Sequence, residues 1–178
     1  LEQAARLPSG PERAGLEVDA RLAMAPALIA TAGWGDPQVE AAYRTALAAS
    51  RALGDRARTS QALFGLATMH EFLGEFPRSQ ELMEERLRLG EPPPDADRVE
   101  SHELLACSTF HQGCFPEALR HAELGLRLYV PELHLGLTAQ YGENPGVSCG
   151  NWAALALWFL GRPDRALERL EESLALAS

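Results

Sequence analysis

The chain has 178 residues and a mass of 19.3 kDa, with 46% hydrophobic and 23% charged residues, a globular rather than a disordered composition. Its formal net charge is -9 and its pI is near 5.0, so nucleic-acid phosphates and anionic membrane surfaces would repel it. All 16 basic residues are arginine, which excludes Schiff-base lysine chemistry and the phosphate-binding loop whose lysine reaches the β/γ-phosphates.

β signals are nearly absent, and Ala, Leu, Arg and Glu, all good helix formers, dominate. The chain begins Leu1-Glu2-Gln3, without an initiator Met or a signal-peptide pattern, and is expected to be a piece of something longer. Residues 1–15 read as the tail of a truncated helix and a linker, Pro8-Ser9-Gly10-Pro11. From residue 16 onward, helical runs are separated by short Gly/Pro breaks. The first break is Thr31-Ala32-Gly33-Trp34-Gly35-Asp36-Pro37, and the second is Phe72-Leu73-Gly74-Glu75-Phe76-Pro77. The third is His111-Gln112-Gly113-Cys114-Phe115-Pro116, and the fourth is Phe159-Leu160-Gly161-Arg162-Pro163. Their glycines lie 41, 39 and 48 residues apart, a period that marks a helical repeat array.

Each break has a physical logic. Gly ends one helix in the left-handed conformation, and Pro suits the first turn of the next. Phe76 and Phe115 would plug the corner between the two helices. Small residues recur five after the Gly (Ser79, Ala118, Ala166) and seven before it (Ala67, Ala106, Ala154), where helices must approach closely. Two connections carry extra sequence. Glu91-Pro92-Pro93-Pro94-Asp95-Ala96-Asp97 reads as a stiff acidic spacer, with Asp97 and Glu100 as a capping box for the following helix. The insert 130–146 ends in Asn144-Pro145, an N-cap followed by a first-turn Pro.

The small-residue, Leu-Gly, aromatic and Ala slots resemble the tetratricopeptide repeat (TPR). Arg86 departs from that pattern in a slot that is usually Ala, and Leu63, His102 and Gly150 replace its usual Trp. A further set of residues is similar to the C-terminal repeat region of large bacterial signalling proteins that carry a class III nucleotide cyclase domain and a regulatory ATPase domain. It comprises Tyr141, Gly142, Pro145, Gly146, Ala156, Leu157, Trp158, Leu160, Gly161, Pro163, Asp164 and Ala166, with Asn144 where that region has Asp. The stretches Pro26-Ala27-Leu28-Ile29 and Val39-Glu40-Ala41-Ala42-Tyr43 are similar to its beginning. Related repeat regions also follow ATPase modules in transcription regulators. The expected fold is an all-α, TPR-like superhelix of about four antiparallel helix pairs, at about 16–53, 55–89, 97–129 and 147–177.

Candidate chemistry is sparse. Cys107, His111 and Cys114 share a helical spacing that suits a soft metal, but Gly113 should throw Cys114 into the turn, and no fourth ligand is evident. Burial in the repeat core accounts for the cysteines more simply. His70-Glu71 and His102-Glu103 begin like a zinc-protease helix, yet Gly74 and Ala106 stand where the second His must be. Carboxylates such as Glu168, Glu171 and Glu172 read as a solvated face, and Arg162, Arg165 and Arg169 as partners for intrahelical pairing. Trp152, Trp158 and Phe159 read as core, with a ligand pocket as the alternative. No catalytic residue, metal site or cofactor is expected. Three cysteines form no disulfide framework, so a reducing cytoplasm is the expected location, and the longest apolar run, 152–160, is about half of the ~20 residues a membrane span needs.

The resemblance to the tetratricopeptide repeat implies a groove lined by each first helix, at positions two, three, six and ten before each Gly. These are Phe72, Glu71, Thr68 and Phe64; His111, Phe110, Cys107 and Glu103; and Phe159, Trp158, Leu155 and Asn151. Glu71, Glu103, His111 and Asn151 would be its exposed polar lining. The expected function is a non-catalytic interaction and regulatory module of a multidomain signalling protein, binding a protein, a peptide or other domains of its own chain. The alternative is a sensor that closes its groove over a small molecule. The oligomeric state is open.

Overall fold

The four glycines that mark the predicted period all have positive φ, 85° at Gly33, 75° at Gly74, 79° at Gly113 and 72° at Gly161. The last three sit in the same hydrogen-bonded turn: the Glu75, Cys114 and Arg162 amides donate to the carbonyls of His70, Thr109 and Leu157 at 2.8–3.0 Å. This is the turn in which a glycine closes a helix by satisfying its last carbonyls. Gly54, at φ 66°, builds a further copy, with the Asp55 amide donating to Ser50.

The structure is a computed structural model that describes residues 10–89, 95–132 and 144–177. Among the described residues it contains eight helices and no strand: α1 (Pro11–Ala32), α2 (Pro37–Leu53), α3 (Arg56–Phe72), α4 (Phe76–Arg88), α5 (Asp95–His111), α6 (Phe115–Leu128), α7 (Pro145–Phe159) and α8 (Pro163–Leu176). The fold is all-α and TPR-like. Sequence-derived starts hold where a cap is local. Asp36 accepts from the Gln38 amide at 2.7 Å, and Asn144 accepts from the Gly146 amide at 2.9 Å, each just ahead of a first-turn proline.

Two expected boundaries move. The helix α1 starts at Pro11 rather than beyond residue 15, because Pro11 serves as its first-turn proline. Asp97 is not an N-cap: α5 already runs from Asp95, and the Asp97 carbonyl accepts from Ser101 Oγ at 2.7 Å. The triproline spacer, the Tyr141-Gly142 part of the insert and residues 1–9 lie outside the described residues.

The chain divides into two units, one ending at Glu75 and one starting at Phe76, so the expected pair 55–89 falls across the division. In the first unit α2 packs against both α1 and α3. Val18, Leu22, Ala25, Val39, Ala46 and Leu63 are buried there, and the Tyr43 ring lies so close to Gly65 that any side chain at 65 would overlap it. Arg58 ties α3 to α1: its guanidinium donates to both Asp19 carboxylate oxygens at 2.6 and 2.7 Å and to Asp55 at 2.5 Å. These bonds hold the Asp19 and Asp55 carboxyls below their ordinary range.

In the second unit α4 packs on α5, α5 on α6 and α7, α6 on α7, and α7 on α8. Its centre is a cluster of fully buried alanines, Ala106, Ala122 and Ala153, one each from α5, α6 and α7, with Leu119, Leu126 and Trp152 packed around it. The predicted small positions behave as expected, since Ser79, Ala118, Ala166, Ala67, Ala106 and Ala154 are all buried. Small residues let helix backbones approach, and the neighbouring large side chains then fill the space between turns. Arg86, in its atypical slot, is 3% exposed and bridges α4 to α5. It donates to the Asp97 carbonyl at 2.9 Å and to Ser101 and Glu100 at 3.1 Å, which replaces the Asp97–Glu100 capping box expected from sequence.

Candidate functional site

The corner aromatics do more than fill their own corner. Trp34 stacks on Phe72 at 4.5 Å and 10°, Phe76 on His111 at 4.4 Å and 6°, and Phe115 on Phe159 at 4.7 Å and 24°. In each case the ring that follows one break meets the ring two residues before the next glycine. One link lies in the first unit and two in the second. Offset or near-parallel stacking at such distances contributes about 0.5–1.5 kcal/mol beyond area burial. Pro163 takes the slot after Gly161, so no ring of this kind follows the last break.

The twelve positions expected to line a groove divide four and eight between the units. In the first unit Phe72 is 65% exposed beyond its stacked face, while Phe64, Thr68 and Glu71 are half-buried, with Thr68 Oγ1 donating to the Phe64 carbonyl at 3.0 Å. In the second unit Phe110 is the hub. Its ring contacts His111, Phe115, Trp152 and Phe159 at 5.3–5.7 Å between centroids. Trp158, Phe159 and Leu155 are exposed, at 59%, 58% and 43%. Asn151 is exposed and accepts from Ser173 Oγ at 3.1 Å, and His111 is exposed with its ring bonded to the Cys107 carbonyl at 2.9 Å. Cys107 is buried.

Two expectations are corrected. Glu103 is not exposed lining: it is 8% exposed, and its carboxylate accepts from Trp152 Nε1 at 2.9 Å. An indole donor 49 residues away in sequence is a long-range partner that no local pattern announces. Trp158 and Phe159 are not core: they are more than half exposed, although one face of Phe159 stacks on Phe115. Trp152, the third aromatic of that set, is half-buried and packs against the core cluster.

Polar groups gather at the α5–α6 contact. His102 and His121 are each 7% exposed, with their Nδ1 atoms 3.0 Å apart. Arg120, which can only donate, lies 2.8 Å from His121 Nε2. His121 therefore accepts at Nε2, carries its proton on Nδ1, and donates it to His102 Nδ1. That arrangement requires both rings to be neutral. Burial, the cost of charging a second imidazole beside His121, and the positive charges of Arg98, Arg120 and Arg127 hold His102 down to about 4, and burial with Arg120 lowers His121. At the α4–α5 contact, burial pushes the Glu100 carboxyl up to about 7 against the pull of Arg86.

Metal chemistry gains no geometry. Cys107 Sγ lies 3.5 Å from His111 Nδ1, Cys114 sits exposed beyond Gly113, and no group of three or more ligating side chains converges among the described residues. Arg169 pairs with Glu172 at 2.6 Å, an i,i+3 pair, and Glu168 and Glu171 are exposed. No described helix is long and apolar enough to cross a membrane.

Sequence reasoning missed two features. The partner of each corner ring was hidden because the stacking joins residues from successive breaks, although a ring one or two residues after one glycine and a ring two before the next carried the signal. The spacing of Leu167, Leu170 and Leu174 marks a helix but not whether its apolar face is covered, and the three are 56%, 41% and 62% exposed.

The family profile of the tetratricopeptide repeat matches residues 148–172, which spans most of α7 and the first part of α8. No curated protein matches the chain. The matched repeat, the recurring left-handed glycine turns and the all-helical packing make this a TPR-like repeat region.

Proposed function

We propose that the chain is a non-catalytic interaction and regulatory module of a larger multidomain signalling protein, one built around a nucleotide cyclase or an ATPase. Repeat regions of the tetratricopeptide kind generally mediate protein–protein interaction. The observation that carries the reading is the exposure of Trp158 and Phe159, two of the positions expected to line a groove in the second unit. Large rings left in water beside polar groups such as Asn151 and His111 are the usual composition of a peptide-binding surface. The occupant is a helical or extended segment from a protein partner or from another domain of the same protein. The signalling context is supported by the residues from Pro145 to Ala166 that resemble the region behind cyclase and ATPase domains.

The test is selection from a displayed library of defined peptides, followed by calorimetry on the peptides recovered. Peptides should bind the intact chain, and Phe159→Ser should weaken them about tenfold or more. No peptide binding, together with a metabolite that raises the melting temperature as RT ln(1 + [L]/Kd), would replace this reading with the small-molecule sensor.

A further inference from the structure

The neutral histidine pair between α5 and α6 has no vacant position for a proton. His121 Nδ1 donates to His102 Nδ1 across 3.0 Å, and Arg120 Nη2 donates to His121 Nε2 across 2.8 Å. Both accepting nitrogens already face an N–H, so a further proton must break one of these two hydrogen bonds. They are not equally easy to break. The bond between the rings lies inside the helix contact, where both histidines are buried and a Cβ on Gly125 would press into Cys149 and touch His102. The Arg120 side chain is 54% exposed.

A protonated His121 would also find a partner in place. The Glu117 oxygen that accepts from Arg120 Nη2 at 2.6 Å lies 3.6 Å from His121 Nε2. His102 is placed differently. The carboxylate of its neighbour Glu103 accepts from Trp152 Nε1, and the charges of the described residues that face His102 are the cations of Arg98, Arg120 and Arg127.

We propose that Glu117, Arg120 and His121 form a proton-operated switch at the start of α6. A proton arrives at His121 Nε2 and displaces the guanidinium; the Glu117 carboxylate turns from Arg120 to the imidazolium, and Arg120 is released into solvent. His121 Nδ1 still donates to His102, so the contact between α5 and α6 stays closed. Acidification thereby adds a free cation to an exposed face of an acidic chain.

The charges on the packed helices fit this order. Glu117 on α6 and Glu84 on α4 favour the His121 imidazolium, and Arg120 opposes it. The opposing Arg98 on α5 and Arg127 on α6 act on His102. The helix α7 carries no charged residue or histidine and brings only the buried Cys149 thiol. Burial, and then Arg120, hold His121 below its ordinary 6.5, so the switch operates below that pH. A second proton would have to enter at His102 Nδ1 against the His121 N–H, which requires the rings to part.

The test is NMR of the isotope-labelled chain, with long-range proton–nitrogen correlation of the imidazoles from about pH 8 to about pH 5. At the upper end His121 should carry its proton on Nδ1 and His102 on Nε2. On acidification His121 Nε2 should gain a proton. The two Arg120 Nη signals should merge over the same interval, as the guanidinium becomes free to rotate. Arg120→Met should raise the His121 midpoint by about half a pH unit or more, and Glu117→Gln should lower it by about as much. The tautomer and guanidinium readouts use the unmodified chain and need no variant to fold. A His121 protonated on Nε2 at the upper end, Arg120 signals that ignore the His121 titration, or a midpoint unmoved in a folded Glu117→Gln variant would each overturn the proposal.

Discussion

The neutral imidazole pair between α5 and α6 should make stability depend on pH, and a second group should mask that dependence. His102 is held down to about 4 by burial and positive neighbours, against an ordinary value of 6.5. A group depressed in this way binds more protons when unfolded, so its contribution is complete above pH 6.5 and is lost as pH falls towards 4. Taking those two values, acidification from pH 7 to pH 5 should remove about 2 kcal/mol of stability through His102. His121, lowered as well, adds loss of the same sign. Glu100 moves oppositely. Burial raises it from 4.5 to about 7, so the folded state takes up protons first and gains about 2 kcal/mol over the same interval. Asp19, Asp55 and Glu117, all lowered, titrate below this window. The wild-type stability should therefore change little between pH 7 and pH 5, while Glu100→Gln should lose about 2 kcal/mol or more on acidification. Adding His102→Gln to Glu100→Gln should remove most of that slope. Urea unfolding followed by circular dichroism at pH 7, 6 and 5 measures each difference. If the stability of Glu100→Gln is unchanged from pH 7 to pH 5, the histidines are not held neutral in the fold and the reasoning fails.

Two further outcomes follow from geometry. Gly113→Val should destabilise the protein by about 1–2 kcal/mol, because a β-branched residue is strained at a φ of 79°; a chemical denaturation midpoint equal to that of the wild type would contradict the left-handed turn. Trp152→Phe keeps the ring but removes the donor to buried Glu103, and should cost about 1–3 kcal/mol; Glu103→Gln combined with Trp152→Phe should recover part of that loss, and simple additivity would show that the two side chains do not interact.

Local chemistry was legible in the amino-acid sequence, and long-range covering was not. The helical class, the breaks at Gly33, Gly74, Gly113 and Gly161, the Asn144-Pro145 start and the buried small residues all follow from backbone preference and side-chain size, which act within a turn or two. The start of α5 was misread because an Asp followed three residues later by Glu is a capping pattern only until a stronger partner intervenes, and Arg86, eleven residues before Asp97, is that partner. The spacing of Leu119, Leu126, Leu167 and Leu174 is the same kind of signal in both helices. Periodicity reports only that a face is apolar. Whether α7 covers that face, as it does on α6, or water meets it, as on α8, depends on which helix lies next in space. Glu103, His102 and His121 show the same limit: each is an ordinary polar residue in sequence, and only the packing of α5 against α6 and α7 supplies the indole and imidazole partners that allow its burial.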